Sequence, residues 1–206
     1  MTEPAEVFEM HYKDYLSQLS AVNLELIGDT LGLPKDADKR VLPFYNKKYW
    51  ITDEGFIDES GNKPVYGEAV VLFKYILLCP DEPRYNPEWS AFKDFKKDSH
   101  FTNVNFFNSD TVKRIEKAFT GKLESLKKAC VQLGGAHYEQ ELSYDLSMTF
   151  TAFPRISLLL LFNDGDEEFP AKCTVLFQKH TEYFLDSESI AITSSLLAKK
   201  LVAQSQ

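Results

Sequence analysis

The segment from Leu142 to Ala152 alternates apolar and polar side chains, and it constrains the fold more than any other part of the sequence. The apolar positions are Leu142, Tyr144, Leu146, Met148, Phe150 and Ala152, and the polar positions between them are Ser143, Asp145, Ser147, Thr149 and Thr151. Successive side chains of a β-strand point to opposite faces, so this period of two predicts a strand with one buried face. The polar row is either an ordinary exposed face or the lining of a groove for a polar ligand.

Two further segments extend this strand into a sheet. Residues Ile156 to Phe162 are apolar on both faces, which predicts a central strand covered on each side. Asn163, Asp164 and Gly165 form a turn signal of the hairpin type, and Cys173 to Phe177 supplies a return strand. We therefore predict a three-stranded antiparallel meander over about residues 142–177.

The remaining elements are helices and one small second meander. Apolar patterns predict helices over residues 5–19, 22–31, 66–79, 110–133 and 187–203, with a break at Gly121 in the fourth. The Val and Ile content of residues 66–79 leaves a strand as the alternative there. Short β-rich runs over residues 41–57 are separated by turn residues. No repeat or linker divides the chain. The sequence thus predicts a single α+β domain over residues 1–206, mainly antiparallel sheet with helices packed against it.

Composition restricts the partners and the compartment. A net charge of −8 argues against nucleic acid as a partner, because binding requires a positive field along the phosphates. The acidic, polar start has no apolar signal region, and the longest apolar run is too short to span a bilayer. The three cysteines lack metal-ligand spacing and lie in apolar segments. We therefore expect a cytoplasmic protein with reduced thiols, bound to no membrane.

The charges are unevenly distributed along the chain. Residues 113–128 carry six basic and two acidic side chains, whereas residues 138–189 carry ten acidic and three basic ones. The two segments either face each other, are separately solvated, or form a bipolar surface that binds a partner.

The candidate ligand-binding residues centre on the segment 164–170, which we name the acidic loop. Its four carboxylates belong to Asp164, Asp166, Glu167 and Glu168, and carboxylates so crowded raise one another's pKa or attract a cation. The spacing differs from that of a calcium-binding loop. The alternative interpretation is a solvated acidic turn. Whether a metal or another cofactor binds here is unknown from sequence.

Four other residues complete the candidate set. They are Asp145, Tyr144, Arg155 and His137, the last of which follows a pair of glycines. Hydrolase, phosphate-binding and dinucleotide-binding motifs are absent from the sequence. The aromatic residues Tyr85, Trp89, Phe106 and Phe107 are expected in the core rather than on a binding surface.

An ordered set of motifs resembles a known family. The motifs are YILL, WSAFKDF, LGG, YDLS, FPRISLLLLFNDGDEEFPAKCTVLF and EYFLDSESIAI, and they lie between residues 75 and 192. They resemble the domain of unknown function 3786 family of anaerobic bacteria and archaea, some members of which carry a four-cysteine iron–sulfur module. The resemblance implies an association with anaerobic, corrinoid- or iron–sulfur-linked metabolism. This chain lacks that module, and Gln178 stands where the family pattern has Asp.

Three functions follow as hypotheses. The first is a non-catalytic binding or accessory protein for a cytosolic protein or small molecule. The second is an enzyme that uses the acidic loop, with or without a divalent metal, and with Asp145 or His137 nearby. The third is a structural subunit whose acidic loop contacts a basic partner. An enzyme predicts a pocket at the loop on which His137, Tyr144 or Arg155 converges, and a binding protein predicts an exposed apolar or charged patch.

Overall fold

A computed structural model describes residues 4–37, 39–95, 101–140 and 142–205. The helices are α1 (Pro4–Ser20), α2 (Leu24–Leu31), α3 (Tyr66–Leu77), α4 (Phe101–Phe107), α5 (Lys113–Phe119), α6 (Leu123–Gln132) and α7 (Ser187–Gln204). The strands are β1 (Lys35–Asp36), β2 (Lys39–Phe44), β3 (Lys47–Thr52), β4 (Gly55–Ile57), β5 (Trp89–Ala91), β6 (Ala136–His137), β7 (Leu146–Phe153), β8 (Ile156–Asn163) and β9 (Lys172–Gln178). The α+β fold with antiparallel sheets is confirmed.

The larger sheet contains the predicted meander. Its strand order is β5-β9-β8-β7-β6, and all neighbouring strands are antiparallel. The strand β8 lies in the centre, and its residues from Leu158 to Phe162 are all buried. The prediction of a central strand that is covered on both faces is therefore confirmed.

The first strand of the meander is shorter than its sequence pattern. Strand β7 begins at Leu146, whereas Leu142 and Tyr144 lie outside it with exposed fractions of 39% and 37%. The side chain of Asp145 accepts the N–H of Asp164, and the side chain of Asn163 accepts the N–H of Asp145. Side-chain hydrogen bonds to the backbone thus replace the strand ladder here. The prediction that the strand begins at Leu142 was wrong for this reason.

The outer face of this sheet is covered by two side chains from its two edge regions. Trp89 on β5 donates its indole N–H to the hydroxyl of Tyr138, which follows β6, over 3.0 Å. Because β5 and β6 are the outermost strands, the two rings meet across the face of the sheet. Leu159 and Leu161 on the central strand are almost completely buried. This contact contributes to the burial of β8 on its second face.

The smaller sheet has the order β1-β2-β3-β4 and confirms the second meander. The backbone N–H of Tyr45 donates to the carbonyl of Ala152 over 2.8 Å, so the end of β2 is tied to β7. Phe44 contacts Phe153 with ring centroids 4.8 Å apart. The two sheets consequently share one hydrophobic core.

Two buried helices connect the sheets to the remaining helices. Helix α3 packs against α1 and α7, and α7 also contacts α4, α5 and α6. A buried network joins them, because Glu68 on α3 accepts from the hydroxyl of Tyr49 and pairs with Lys200 on α7. Tyr75 stacks on Phe153 with ring centroids 4.4 Å apart. These contacts fix α3 and α7 side by side.

The sequence pattern of α1 predicts that Val7, Met10, Tyr15 and Leu19 share one face, and the structure corrects this prediction at Met10. Met10 is 61% exposed, and the face that packs inward carries Tyr12, Tyr15 and Leu19. Tyr12 and Tyr15 both contact Phe73 of α3. The aromatic rings bury more apolar area than the flexible Met10 side chain would, and this favours the observed rotation of the helix.

Two general features complete the description. Within the described residues, no helix has the length and apolar character required to cross a membrane. Cys79, Cys130 and Cys173 are free thiols, and burial raises the pKa of Cys130 to about 12.

Candidate functional site

The acidic loop and Ala171 together form the eight-residue connection from β8 to β9, so the predicted hairpin turn is a longer, internally bonded loop. One carboxylate oxygen of Asp164 accepts the N–H of Gly121 over 2.7 Å and the N–H of Gly165 over 2.8 Å. Gly121 lies in the turn between α5 and α6. Asp164 therefore uses its charge to attach the loop to that turn.

Asp166 has a similar structural role within the loop. Its carboxylate accepts the N–H groups of Glu168 and Phe169, and its own N–H donates to the carbonyl of Phe169. The hydrogen bonds from the N–H groups of Phe169 and Glu168 lower the pKa of Asp166. The expectation that crowding raises a carboxylate pKa here is thus wrong for Asp166.

The remaining candidates are only partly brought together. Asp145 lies beside the loop, because its carboxylate accepts the N–H of Asp164. Glu167 and Glu168 are exposed, and so are Tyr144 and His137. His137 lies opposite Met148 on the neighbouring strand.

Arg155 lies at the other end of β8, in the turn that joins β7 to β8. Its guanidinium donates to the carbonyls of Thr30 and Asp29, at the end of α2. The structure therefore does not bring Arg155 to the acidic loop.

Among the described residues, the acidic loop contains no group of side chains that could hold a metal ion and lines none of the five cavities that stand out elsewhere on the protein. Across residues 4–37, 39–95, 101–140 and 142–205, no three His, Cys, Asp or Glu side chains form a group that could hold a metal ion. The five cavities that stand out on this part of the chain are lined by residues other than those of the acidic loop. The enzyme hypothesis based on these carboxylates stays a prediction, and the structure shows that two of them, Asp164 and Asp166, accept backbone N–H groups.

The two oppositely charged segments do meet at the loop. Besides the contact from Asp164 to Gly121, the carboxylate of Glu116 on α5 accepts the N–H of Cys173 on β9 over 3.0 Å. These bonds join residues 113–128 to residues 138–189. Both bonds join a carboxylate to a backbone N–H, and no ion pair in the described ranges joins the two segments, so the three interpretations of the charge pattern stay predictions.

The largest of the five cavities lies elsewhere, between α1, α3, α4 and α7, and we name it the α3–α7 groove. Its volume is ≈ 650 Å³, within the range of about 300–1,000 Å³ that is typical of small-molecule sites. The lining residues are His11, Tyr15, Val65, Tyr66, Gly67, Val70, Lys74, Phe106, Glu188, Ser189, Ile192, Ser195, Leu196 and Lys199. None of them was among the residues selected from sequence.

The floor of the groove is apolar because two helix faces meet there. On α3 the lining positions Gly67 and Val70 lie one turn apart, and on α7 Ile192 and Leu196 do so. A Cβ atom built at Gly67 would lie 3.8 Å from Leu196 and 3.9 Å from Ile192. These are ordinary van der Waals distances, so the glycine leaves room for a methyl group between the two helices.

The rim of the groove exposes apolar side chains to water. Val65 is 67% exposed, Tyr66 51% and Phe106 37%. The expectation that Phe106 belongs to the core is wrong, as is that for Tyr85, which is 75% exposed elsewhere, whereas Phe107 is buried as expected. Clustered exposed apolar side chains around a concavity are typical of a binding surface.

Charged groups stand at the two ends of the groove. At one end, Lys74 pairs with Asp186 over 3.1 Å, and Asp186 also accepts the N–H of Ser189 as the N-cap of α7. Burial favours the neutral forms, but the hydrogen bond to Asp186 outweighs it and raises the pKa of Lys74, while hydrogen bonds from Ser189 and then from Lys74 lower the pKa of Asp186. At the other end lies exposed Lys199, eleven residues or about 16 Å along the helix from Glu188.

The local sequence gives only weak signals for this groove. Gly67 interrupts an otherwise apolar helix, and Tyr66 precedes it at the helix start. A glycine inside a helical pattern costs about 1 kcal/mol relative to alanine, which makes its position a weak local signal. The convergence of four helices on that glycine is a tertiary feature, however, which no motif in the chain encodes.

Comparison with known proteins gives a family but no activity. No curated protein and no solved structure shows a significant match to this chain. A family model with the description "Domain of unknown function (DUF3786)" matches residues 23–200, which include both sheets and all helices except α1 and the end of α7. The chain therefore belongs to the DUF3786 family.

Proposed function

We propose that this protein is a non-catalytic binding protein, and that the α3–α7 groove binds a small molecule with an apolar body and a polar end. One observation carries this proposal: the largest cavity combines an apolar floor with exposed apolar side chains on its rim. Such a surface loses unfavourable contact with water when a ligand covers it.

The charged ends of the groove set the chemistry of the ligand. The Lys74–Asp186 pair is internally neutralised, whereas Lys199 is exposed and acts electrostatically on Asp110, a carboxylate that already pairs with Arg114. An anionic end group on the ligand would find its partner at Lys199, and the apolar body would lie over Ile192 and Leu196. The groove thus favours an amphiphilic ligand over a fully polar one.

The setting of this function is part of the same proposal. A cytoplasmic location and a link to anaerobic, corrinoid- or iron–sulfur-associated metabolism follow from the sequence and the resemblance. An accessory role toward a cytosolic protein is compatible with a groove that binds a small molecule. The proposal assigns no reaction to the chain.

Two variants at one position test the proposal. The probe is 8-anilinonaphthalene-1-sulfonate, which has an aromatic body and an anionic end and fluoresces when it leaves water. We expect saturable binding to the wild type and a loss of at least about tenfold in affinity for Gly67→Leu, whose side chain fills the space over Ile192 and Leu196. Gly67→Ala is the matched control, because its methyl group meets only ordinary contacts.

The affinities of the two variants decide whether the probe binds in the groove. Retained affinity in Gly67→Ala with loss in Gly67→Leu supports the groove as the binding site, provided that both variants unfold at similar urea concentrations. Equal affinity of Gly67→Leu and the wild type would exclude the groove. An absence of saturable binding to the wild type would also contradict the proposal.

A further inference from the structure

A second cavity is lined by two arginines and one carboxylate, and we name it the arginine cavity. Its volume is ≈ 440 Å³, and its lining residues are Asp29, Thr30, Pro83, Arg84, Tyr85, Arg155, His180 and Phe184. These residues come from the end of α2, the loop before β5, the β7–β8 turn and the segment after β9. Four separate parts of the chain therefore converge on one concavity.

The two arginines of this cavity have unused hydrogen-bond donors. Arg84 makes no hydrogen bond or ion pair with any residue that the structure describes. Arg155 uses two of its five guanidinium N–H groups, which donate to the carbonyls of Thr30 and Asp29 over 3.0 and 2.8 Å. These two bonds fix the plane of the Arg155 guanidinium and leave three N–H groups for another acceptor.

His180 holds the two arginine-bearing segments together. It is 1% exposed, and its Nδ1 lies 2.6 Å from the carbonyl of Asn86, two residues after Arg84. Its Nε2 lies 2.9 Å from the carbonyl of Arg155 itself. One buried ring thus contacts the backbone on both sides of the cavity and positions Arg84 and Arg155 on a rigid frame.

An aromatic wall and one opposing charge complete the cavity. The ring of Tyr85 lies 4.7 Å from that of His180, although the side chain is largely exposed. The carboxylate of Asp29, the one acidic group of the lining, is almost fully exposed and lies 3.6 Å from the guanidinium of Arg40, which is not a lining residue. The cavity therefore has a positive balance on a protein whose net charge is −8.

We propose that the arginine cavity binds the oxyanion group of a small molecule, that is, a phosphate or a carboxylate group. Guanidinium groups bind these oxyanions through paired N–H donors, and a guanidinium that is already oriented loses little entropy on binding. The two arginines supply two such sets of donors, and Tyr85 offers a flat apolar surface to the rest of the ligand. This site is separate from the α3–α7 groove and does not depend on it.

Calorimetric titration of the full chain with inorganic phosphate and, separately, with succinate tests this proposal and distinguishes the two sources of the oxyanion. We expect saturable binding of at least one of them at constant ionic strength. Arg84→Gln should weaken that binding at least about tenfold, because it removes a donor group with no structural contact. Lys127→Gln, which removes one exposed positive charge on α6, is the matched control and should leave the affinity within about twofold.

A variant that should increase the affinity for the anion makes the test more specific. Asp29→Asn removes the negative charge from the cavity lining and should increase the affinity, a gain that general damage to the fold would not produce. The proposal fails if neither anion binds the wild type saturably. It also fails if Arg84→Gln and Lys127→Gln weaken binding equally, since only general attraction to positive charge would then be at work.

Discussion

The acidic loop and the arginine cavity use charged side chains in opposite ways. In the loop, the carboxylates of Asp164 and Asp166 accept backbone N–H groups and so hold their own segment in place. In the cavity, Arg84 has no partner among the described residues, and Arg155 retains three unused donors. The comparison shows that the density of charge in a sequence is a poor guide to a binding site, because hydrogen bonds within the fold can occupy that charge.

The largest effect that this comparison predicts is at His180, which supports the cavity from beneath. His180→Ala removes a buried ring together with its contacts to the carbonyls of Asn86 and Arg155. We expect a loss of about 3 kcal/mol in the free energy of unfolding, from the cavity left behind and the loss of the hydrogen bond that the imidazole donates. Urea denaturation measures this loss.

His137→Ala is the control for this variant, since His137 is exposed on the short edge strand. Its free energy of unfolding should change by no more than about 0.5 kcal/mol. If the two histidine variants unfold at the same urea concentration, the supporting role of His180 in the cavity is refuted.

We expect a smaller effect at Asp164. Its sign distinguishes mutual repulsion of the loop carboxylates from their attachment to backbone N–H groups. If the crowded carboxylates mainly repelled one another, removal of one would stabilise the protein. The structure predicts the reverse, because Asp164→Ala leaves the N–H groups of Gly121 and Gly165 without their acceptor. We expect a loss of about 1 kcal/mol in the free energy of unfolding, measured by urea denaturation.

Two variants sharpen this measurement. Asp164→Asn retains a side-chain oxygen acceptor and should lose less stability than Asp164→Ala. Glu167→Ala removes a carboxylate that is exposed on the same loop, so its effect should lie within about 0.5 kcal/mol. Stabilisation by Asp164→Ala would show that repulsion dominates and that the loop resembles a charged site more than a structural one.

The sequence predicted the sheet well because periodicity reports directly which faces are buried. The apolar run from Ile156 to Phe162 located the central strand, and the alternation up to Ala152 located its neighbour. The prediction failed at Leu142 and Tyr144, where the side chains of Asp145 and Asn163 bind the backbone instead of allowing the strand to continue. The apolar–polar period gives no information about this competition between side-chain hydrogen bonds and the backbone hydrogen bonds of strand pairing.

The candidate sites were harder to predict for a different reason. The sequence identifies carboxylates that are close along the chain, and Asp145 and Asp164 are indeed brought together. The arginine cavity combines residues such as Arg84, Arg155 and His180, which lie far apart in the sequence and share no motif. Of these three residues, only Arg155 belongs to the candidate set from the sequence, which predicts it beside the acidic loop, at the other end of β8. Convergence of distant segments follows from the topology and is invisible to local patterns.

The last prediction concerns pH, and it tests the comparison at Asp166. Hydrogen bonds from the N–H groups of Phe169 and Glu168 lower the pKa of Asp166 below its usual value of 3.8. A carboxylate with a lower pKa in the folded state contributes stability that is fully present above its unfolded pKa and is lost as the pH falls through its folded pKa. The wild type should therefore melt at a higher temperature than Asp166→Asn at pH 7, and the difference should shrink as the pH falls from about 4 toward 2.

The amide of Asp166→Asn keeps an oxygen acceptor, so this comparison isolates the charge of Asp166, whereas Asp166→Ala removes charge and acceptor together and should melt lower than Asp166→Asn at all pH values. If repulsion by Glu167 and Glu168 controlled Asp166 instead, its pKa would be raised, and Asp166→Asn would be the more stable protein at pH 7. In that case the stability advantage of Asp166→Asn would disappear as the pH falls from 7 to about 4, a range in which the structure predicts little change in the difference between the two proteins. The sign of the difference at pH 7 thus decides whether the loop carboxylate is bound by its own backbone or remains available, like the arginines of the cavity, to an external partner.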